Sequence, residues 1–167
     1  MTEPLYTTIH PSAIGRLLLV AGSRGLRSLT LVEDGETPTQ FYPSSSELPA
    51  FFTSTTHAID AYLAGSGELN LPVHFAGGTP LQRAVWLAIA KTPYGETISY
   101  TALADQVGFP RAVRAVASAC GANPVPLAVP CHRVVAKDGT LGGFSLGGLE
   151  VKAFLLELEQ GRMRAAA

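Results

Sequence analysis

Sulfur is scarce in this chain: its 167 residues include two cysteines and two methionines. Two thiols, Cys120 and Cys131, are too few for the disulfide framework of a small secreted domain, and a chain with 47% hydrophobic residues does not need one. Both are read as free thiols in a reducing compartment. No cysteine precedes Cys120, and His10, His57 and His74 stand far apart in sequence, so no metal site is expected and no cofactor is implied. Long apolar runs are also missing. None approaches the roughly 20 residues that a membrane span needs, and the opening "MTEPLYTTIH" has no basic flank before an apolar stretch. An intracellular, cytoplasmic protein with no membrane partner is expected. Lysine is absent from Met1 to Thr79, where three arginines meet seven acids for a net −4; from Pro80 onward nine bases meet six acids for +3. An overall charge of −1 excludes a strongly basic nucleic-acid binder, yet the second half can face a polyanion.

What is present divides the chain in two. "LYTTIH", "RLLLVAG" and "LRSLTLV" are short β-branched and apolar runs separated by Pro11, Gly15, Gly22 and Gly25, the pattern of an antiparallel meander. A polar loop follows from Glu33 to Pro49. A helical pattern then runs from Pro49 through Phe52, Ile59 and Leu63 to a stop at Gly65, and "LNLPVHF" reads as a returning strand. The linker "AGGTP" suggests two domains, 1–76 and 77–167. Beyond it Leu81, Val85, Trp86 and Ile89 stripe a helix that ends before Pro93, and "PYGE" makes a turn. Ser99 caps a helix that Gly108 stops, and Pro110 opens another that Gly121 closes. The last two helices resemble a helix-turn-helix. On the second, Val113, Val116 and Cys120 share an inward face, while Arg111, Arg114, Ala115 and Ser118 share an outward one. Alone, such a helix reads as an ordinary solvated amphipathic one; its basic and small outward residues also suit a helix whose backbone must come close to the floor of a DNA groove.

Cys131 is the sharper feature, lying in "LAVPCHRVVAKDG" between Pro130 and His132 with Arg133 next. A thiol is a nucleophile only as thiolate, and with an ordinary pKa of about 8.5 it needs a base. His132 is adjacent, although neighbours on an extended segment point opposite ways, so contact requires a turn or a bridging water. Pro130 and Asn123-Pro124 stiffen the approach; Asn123 can tie the loop together or make an ordinary Asx-turn. An imidazole base benefits from a carboxylate behind it, and the C-terminal helix, about 149–160, offers Glu157 on its wetter side and Glu159 on the edge of its buried stripe. Glu159 is the better candidate. Residue chemistry alone leaves thiol hydrolases, acyl transferases and alkyl acceptors open.

The local sequence narrows this. "PCHRVV", preceded by "NPVP" and followed by "GTLGGFSLGG", resembles the active-site region of the O6-alkylguanine-DNA alkyltransferases, with further ordered likeness in "LQRAVW", "PYGETISY", "RAVRAV" and "KAFLLELE". The first half matches only in general character. The resemblance implies an α+β protein: a small β-rich N-terminal domain with one main helix, ribonuclease H-like in the family, then a mostly helical, winged-helix-like C-terminal domain carrying the helix-turn-helix. It implies DNA repair by irreversible, single-turnover transfer of an alkyl group from O6-alkylguanine, and also O4-alkylthymine, in duplex DNA to Cys131, after the base is flipped out through the minor groove. His132 would take the thiol proton through a water, Glu159 would back the imidazole, and Asn123 would hold the turn. Tyr100 would donate to the departing guanine and turn a phosphate, and Arg114 would fill the gap in the stack. Arg111, Ala115 and Ser118 complete the DNA face; Pro126, Val134, Phe144 and Ser145 would line the pocket with Cys131. The expected partner is double-stranded DNA, met by a monomer that could assemble cooperatively along it. Phe144 stands where most members carry tyrosine, and the loop carries one extra residue near Leu146. Two rival readings are a non-repairing sensor of alkylated bases, whose known members replace the cysteine, and a cysteine hydrolase, which needs an oxyanion hole.

Overall fold

A computed structural model describes residues 3–35 and 49–161. The chain opens with β1 (Tyr6–Ser12), β2 (Gly15–Gly22) and β3 (Gly25–Val32), an antiparallel sheet in the order β1-β2-β3. The meander is as the sequence predicts, except that β1 continues through Pro11, which pairs with Arg16. An edge strand tolerates the missing amide. The loop expected from Glu33 to Pro49 lies, over 36–48, outside the described residues. Helix α1 (Pro49–Leu63) ends before Gly65, whose φ of +84° favours glycine. The strand expected in "LNLPVHF" does not form. It makes one parallel bridge, Leu26 to Val73, bounded by Leu26 N donating to Pro72 O and His74 N donating to Leu26 O; Pro72 has no amide to extend a ladder.

The second half is helical. Thr79 and Gln82 form a reciprocal capping box at the start of α2 (Pro80–Ile89), and Ser99 caps α3 (Tyr100–Gln106) by accepting from Ala102 N. Helix α4 spans Val113–Gly121, three residues later than Pro110 suggests. A turn closed by Ala112 N donating to Phe109 O delays it, and Ala112, with ψ of 35°, precedes the first helical residue. Between α2 and α3 lies a two-residue strand, β4 (Ile98–Ser99), which pairs in parallel with β5 (Val134–Val135). Helix α5 (Gly148–Glu159) closes the described fold. No helix among the described residues is long and apolar enough to cross a membrane.

Two apolar clusters organise these elements. One packs Leu17, Leu19, Leu26 and Leu29 of the sheet and Ile59 and Tyr62 of α1 against Val125, Leu127, Leu146 and Leu155 from the second half. The other packs α2, α3 and α4 around Trp86, Leu103 and Val116, and includes both cysteines. The segment from Asn123 to Val134 runs between the two clusters and thereby positions the thiol.

Candidate active site

Cys131 opens a single 3-10 turn, Cys131–Arg133, immediately after Pro130. The turn resolves the geometry that an extended chain forbids, because His132 and Arg133 now fold back toward α5 while Cys131 faces a cleft. The approach is held by Asn123. Its Nδ2 donates to Val129 O at 2.8 Å and to Cys131 Sγ at 3.2 Å, and its Oδ1 accepts from Val125 N at 3.0 Å. Within the loop so closed, buried Leu127 has φ of +73°, a conformation that costs a non-glycine residue about 1 kcal/mol or more and persists because its surroundings enforce it.

The cleft has a volume of about 490 Å³ and is lined by Tyr100, Ala117, Cys120, Cys131, Phe144 and Ser145, with glycines 121, 142 and 143. Tyr100 enters it as the first residue of α3. Gly142 has φ of +67°, and a Cβ there would stand 2.9 Å from the Tyr100 hydroxyl, so glycine lets the loop close over the ring. Val134 is fully buried in the second cluster, behind the thiol, and is not a wall of the cleft. Pro126 lines a neighbouring depression instead, with Asn123, Leu29 and Ser145. In the loop after Phe144, Leu146 points inward: it is 2% exposed and joins the first cluster.

Behind the thiol lies a closed polar network. His132 is fully buried, and its Nε2 lies 2.7 Å from Glu159 Oε1. Burial alone would raise the Glu159 carboxyl, but hydrogen bonds from His132 and Arg133 outweigh it and hold the group at about 2. Glu159 is therefore an ionised acceptor, and Nε2 must carry the proton of the neutral imidazole. That leaves Nδ1 as the free base atom; it is buried and, among the described residues, is the one side-chain nitrogen or oxygen so buried without a hydrogen-bond partner. Burial also lowers the proton affinity of His132, against the pull of Glu159. Burial raises the Cys131 thiol, while the Asn123 amide and the Lys152 ammonium draw it back down. The resting sulfur is thus a thiol, and its proton must leave as it reacts. Cys120, which shares the cleft, is pushed up to about 12 by burial and stays an inert hydrophobe.

Three participants have no role in the sequence reading, although Arg133 and Lys152 lie inside "PCHRVV" and "KAFLLELE". Arg133 grips Glu159 with both arms, Nε to Oε2 and Nη2 to Oε1, each at 2.9 Å, and donates through Nη1 to Thr92 O at 2.6 Å. Tyr62 arrives from α1, its hydroxyl donating to Glu159 Oε1 at 2.6 Å. Lys152 is wholly buried on α5, and its ammonium donates to the carbonyls of Val134, Leu141 and Gly143, tying β5 to the cleft loop. A basic residue flanked by apolar ones on a helix reads as solvent-facing, which conceals it. Among the described residues no group of three or more His, Cys, Asp or Glu could hold a metal.

The outward residues of this segment, Arg111 just ahead of α4 with Arg114, Ala115 and Ser118, are exposed; of the inward three Val116 and Cys120 are buried and Val113 is half-buried, and Ala119 joins them. Trp86 Nε1 donates to Ala119 O at 2.8 Å, fixing the end of α4 beside the cleft.

Comparison with known proteins defines the class first. The family described as "6-O-methylguanine DNA methyltransferase, DNA binding domain" matches residues 80–161. The fold matches the crystal structure of Mycobacterium tuberculosis O6-methylguanine methyltransferase with a TM-score of 0.81 at 37% identity, covering 97% of this chain and 96% of that one. It matches M. tuberculosis OGT in complex with DNA with a TM-score of 0.78 at 40% identity, covering 96% and 95%. In sequence the chain is 39% identical over 158 residues to the methylated-DNA–protein-cysteine methyltransferase of Haemophilus influenzae, covering 93% of this chain and 87% of that protein. To the protein of that name from Methanosarcina barkeri it is 37% identical, over 96% of this chain and 100% of the relative. The chain belongs to the methylated-DNA–protein-cysteine methyltransferase family.

Proposed function

We propose that this chain repairs duplex DNA by taking the alkyl group of O6-alkylguanine, and of O4-alkylthymine, onto Cys131, once per molecule. The observation that carries the reading is the position of the sulfur: on the floor of a cleft beside Tyr100 and Phe144, with the His132–Glu159 pair behind it and one imidazole nitrogen free to accept a proton. The target oxygen of a stacked base is out of reach, so the damaged nucleotide must be everted into the cleft, with Arg114 on the exposed face of α4 occupying the gap and Arg111, Ala115 and Ser118 against the groove.

In the transfer, the Cys131 proton passes to His132 Nδ1 through a water as the sulfur attacks the alkyl carbon in line. The S–C bond forms and the C–O6 bond breaks, both electrons of the latter leaving with guanine. Tyr100 gives its proton to the departing guanine and regains one from solvent, while the proton on His132 returns to solvent. The Asn123 amide and Lys152 ammonium offset the charge that develops on sulfur, and the thioether product has no route back to thiol. Residues 1–76 support this unit and 77–167 bind DNA and accept the alkyl group, as a monomer. The reaction needs no cofactor.

Incubation with an O6-methylguanine duplex should add one methyl mass to the peptide containing Cys131, and Cys131→Ser should abolish the gain. Binding of the damaged duplex with no mass change would identify a sensor, and release of product beyond one equivalent would identify a hydrolase.

A further inference from the structure

Among the described residues, one buried phenol takes no part in the transfer to Cys131. Tyr62, on α1, is 1% exposed, and its ring packs edge-on to Tyr94 with centroids 6.3 Å apart. Any backbone carbonyl would satisfy a buried phenol. This hydroxyl instead sits at the imidazole–carboxylate contact itself, 2.6 Å from Glu159 Oε1 and 3.2 Å from His132 Nε2.

Oε1 is therefore shared among three donors: His132 Nε2, the Tyr62 hydroxyl and Arg133 Nη2. Oε2 takes Arg133 Nε and, at 3.3 Å, Gly95 N. Each donor draws off charge that an imidazolium at His132 would otherwise use, and each pins the carboxylate in place. We propose that Tyr62 is a positioning residue that fixes the Glu159 carboxylate from the N-terminal half and sets how tightly His132 holds the thiol proton, so that alkyl transfer depends on α1 being docked against α5. The inference rests on His132 being the base, as proposed above.

The titratable and charged groups around the His132–Glu159 pair are Tyr62 from α1, Tyr94 from the turn after α2, Cys131 and Arg133 on either side of His132, and Lys152 from α5. Arg133 also lies 5.7 Å from the centroid of the Tyr94 ring. Of these, Tyr62 is the one neutral donor to the carboxylate, so its hydroxyl can be removed without changing the net charge of the network.

Tyr62→Phe keeps the ring and deletes the donor. With more charge left on Oε1, the imidazolium gains and His132 holds its proton more tightly. With thiol and neutral imidazole at rest, protonation of His132 sets the acid limb of the pH–rate profile. That limb, for methyl transfer from an O6-methylguanine duplex to the full chain, should move to higher pH by about one unit, the weight of one hydrogen bond to a charged group. In a Glu159→Gln background the same change should add no displacement, because the group it acts through is gone. A uniform change in rate at every pH, with the profile unmoved, would reduce Tyr62 to a packing residue and overturn the inference. An unmutated chain that transfers nothing would instead overturn the acceptor reading. Should Tyr62→Phe fail to fold, proton NMR of the unmutated chain decides: the Tyr62 hydroxyl resonance should shift in step with the titration of His132, and a resonance indifferent to it contradicts the coupling.

Discussion

At Asn123 one side chain serves three partners, and their chemistry sets the cost of losing it. Asn123→Ala would leave the Val125 amide buried without its partner, leave the Val129 carbonyl with only the Cys131 amide, and remove a donor from Cys131 Sγ. A loss of about 2 kcal/mol is expected in urea unfolding, with slowed methyl transfer as the turn around Leu127 relaxes. An unchanged midpoint would mean that the loop holds itself. Acid should act on the same network. His132 and Glu159 both have folded-state proton affinities below their ordinary values, 6.5 and 4.5, so below those values the unfolded chain binds more protons and folding loses ground. Stability should be full above about pH 6.5, fall first through His132, and fall again between 4.5 and about 2 through Glu159. Urea midpoints measured across that range test the sign, and Glu159→Gln should remove the second stage.

Elements explain why "PYGETISY" takes the form it does. Gly95 has φ of +78°, a Cβ there would stand 3.1 Å from the Glu159 carbonyl oxygen, and its amide donates to the Glu159 carboxylate. Gly95→Ala is expected to cost more than about 1 kcal/mol and to slow transfer by displacing α5; a neutral substitution, judged by thermal unfolding and transfer rate together, would contradict this. The faces of α4 were legible in advance because a period of 3.6 residues separates small basic positions from apolar ones. The sheet β1-β2-β3 was legible for a similar reason, its apolar runs being bounded by glycines. The pairing of β4 with β5 was not, since two-residue strands have no period, and Pro72 defeated the strand expected in "LNLPVHF". Cys131, His132 and Glu159 could be named from local chemistry and resemblance. Tyr62 meets Glu159 across 97 residues of chain and Arg133 meets it across 26, and no local pattern encodes such contacts.

Over the whole molecule, the first apolar cluster draws on both halves, so the chain should unfold in one cooperative transition rather than two. Binding to undamaged duplex should weaken with salt, by about 0.9 in log affinity per tenfold rise for each phosphate engaged. Arg111→Ala should lower that slope by about one, with its effect independent of DNA sequence. An unaltered slope would move the DNA contact off this face. Arg114→Ala should impair repair in duplex DNA while leaving alkylation by the free damaged base intact, and equal losses on both substrates would contradict its place in the vacated stack. The central claim is that one sulfur, Cys131, is consumed by one alkyl group. Counting methyl groups removed from an excess of O6-methylguanine duplex against moles of protein tests it most directly: the count should stop at one per chain, all of it recovered as S-methylcysteine at position 131, whereas a count that continues past one, or a methyl group found elsewhere, would contradict it.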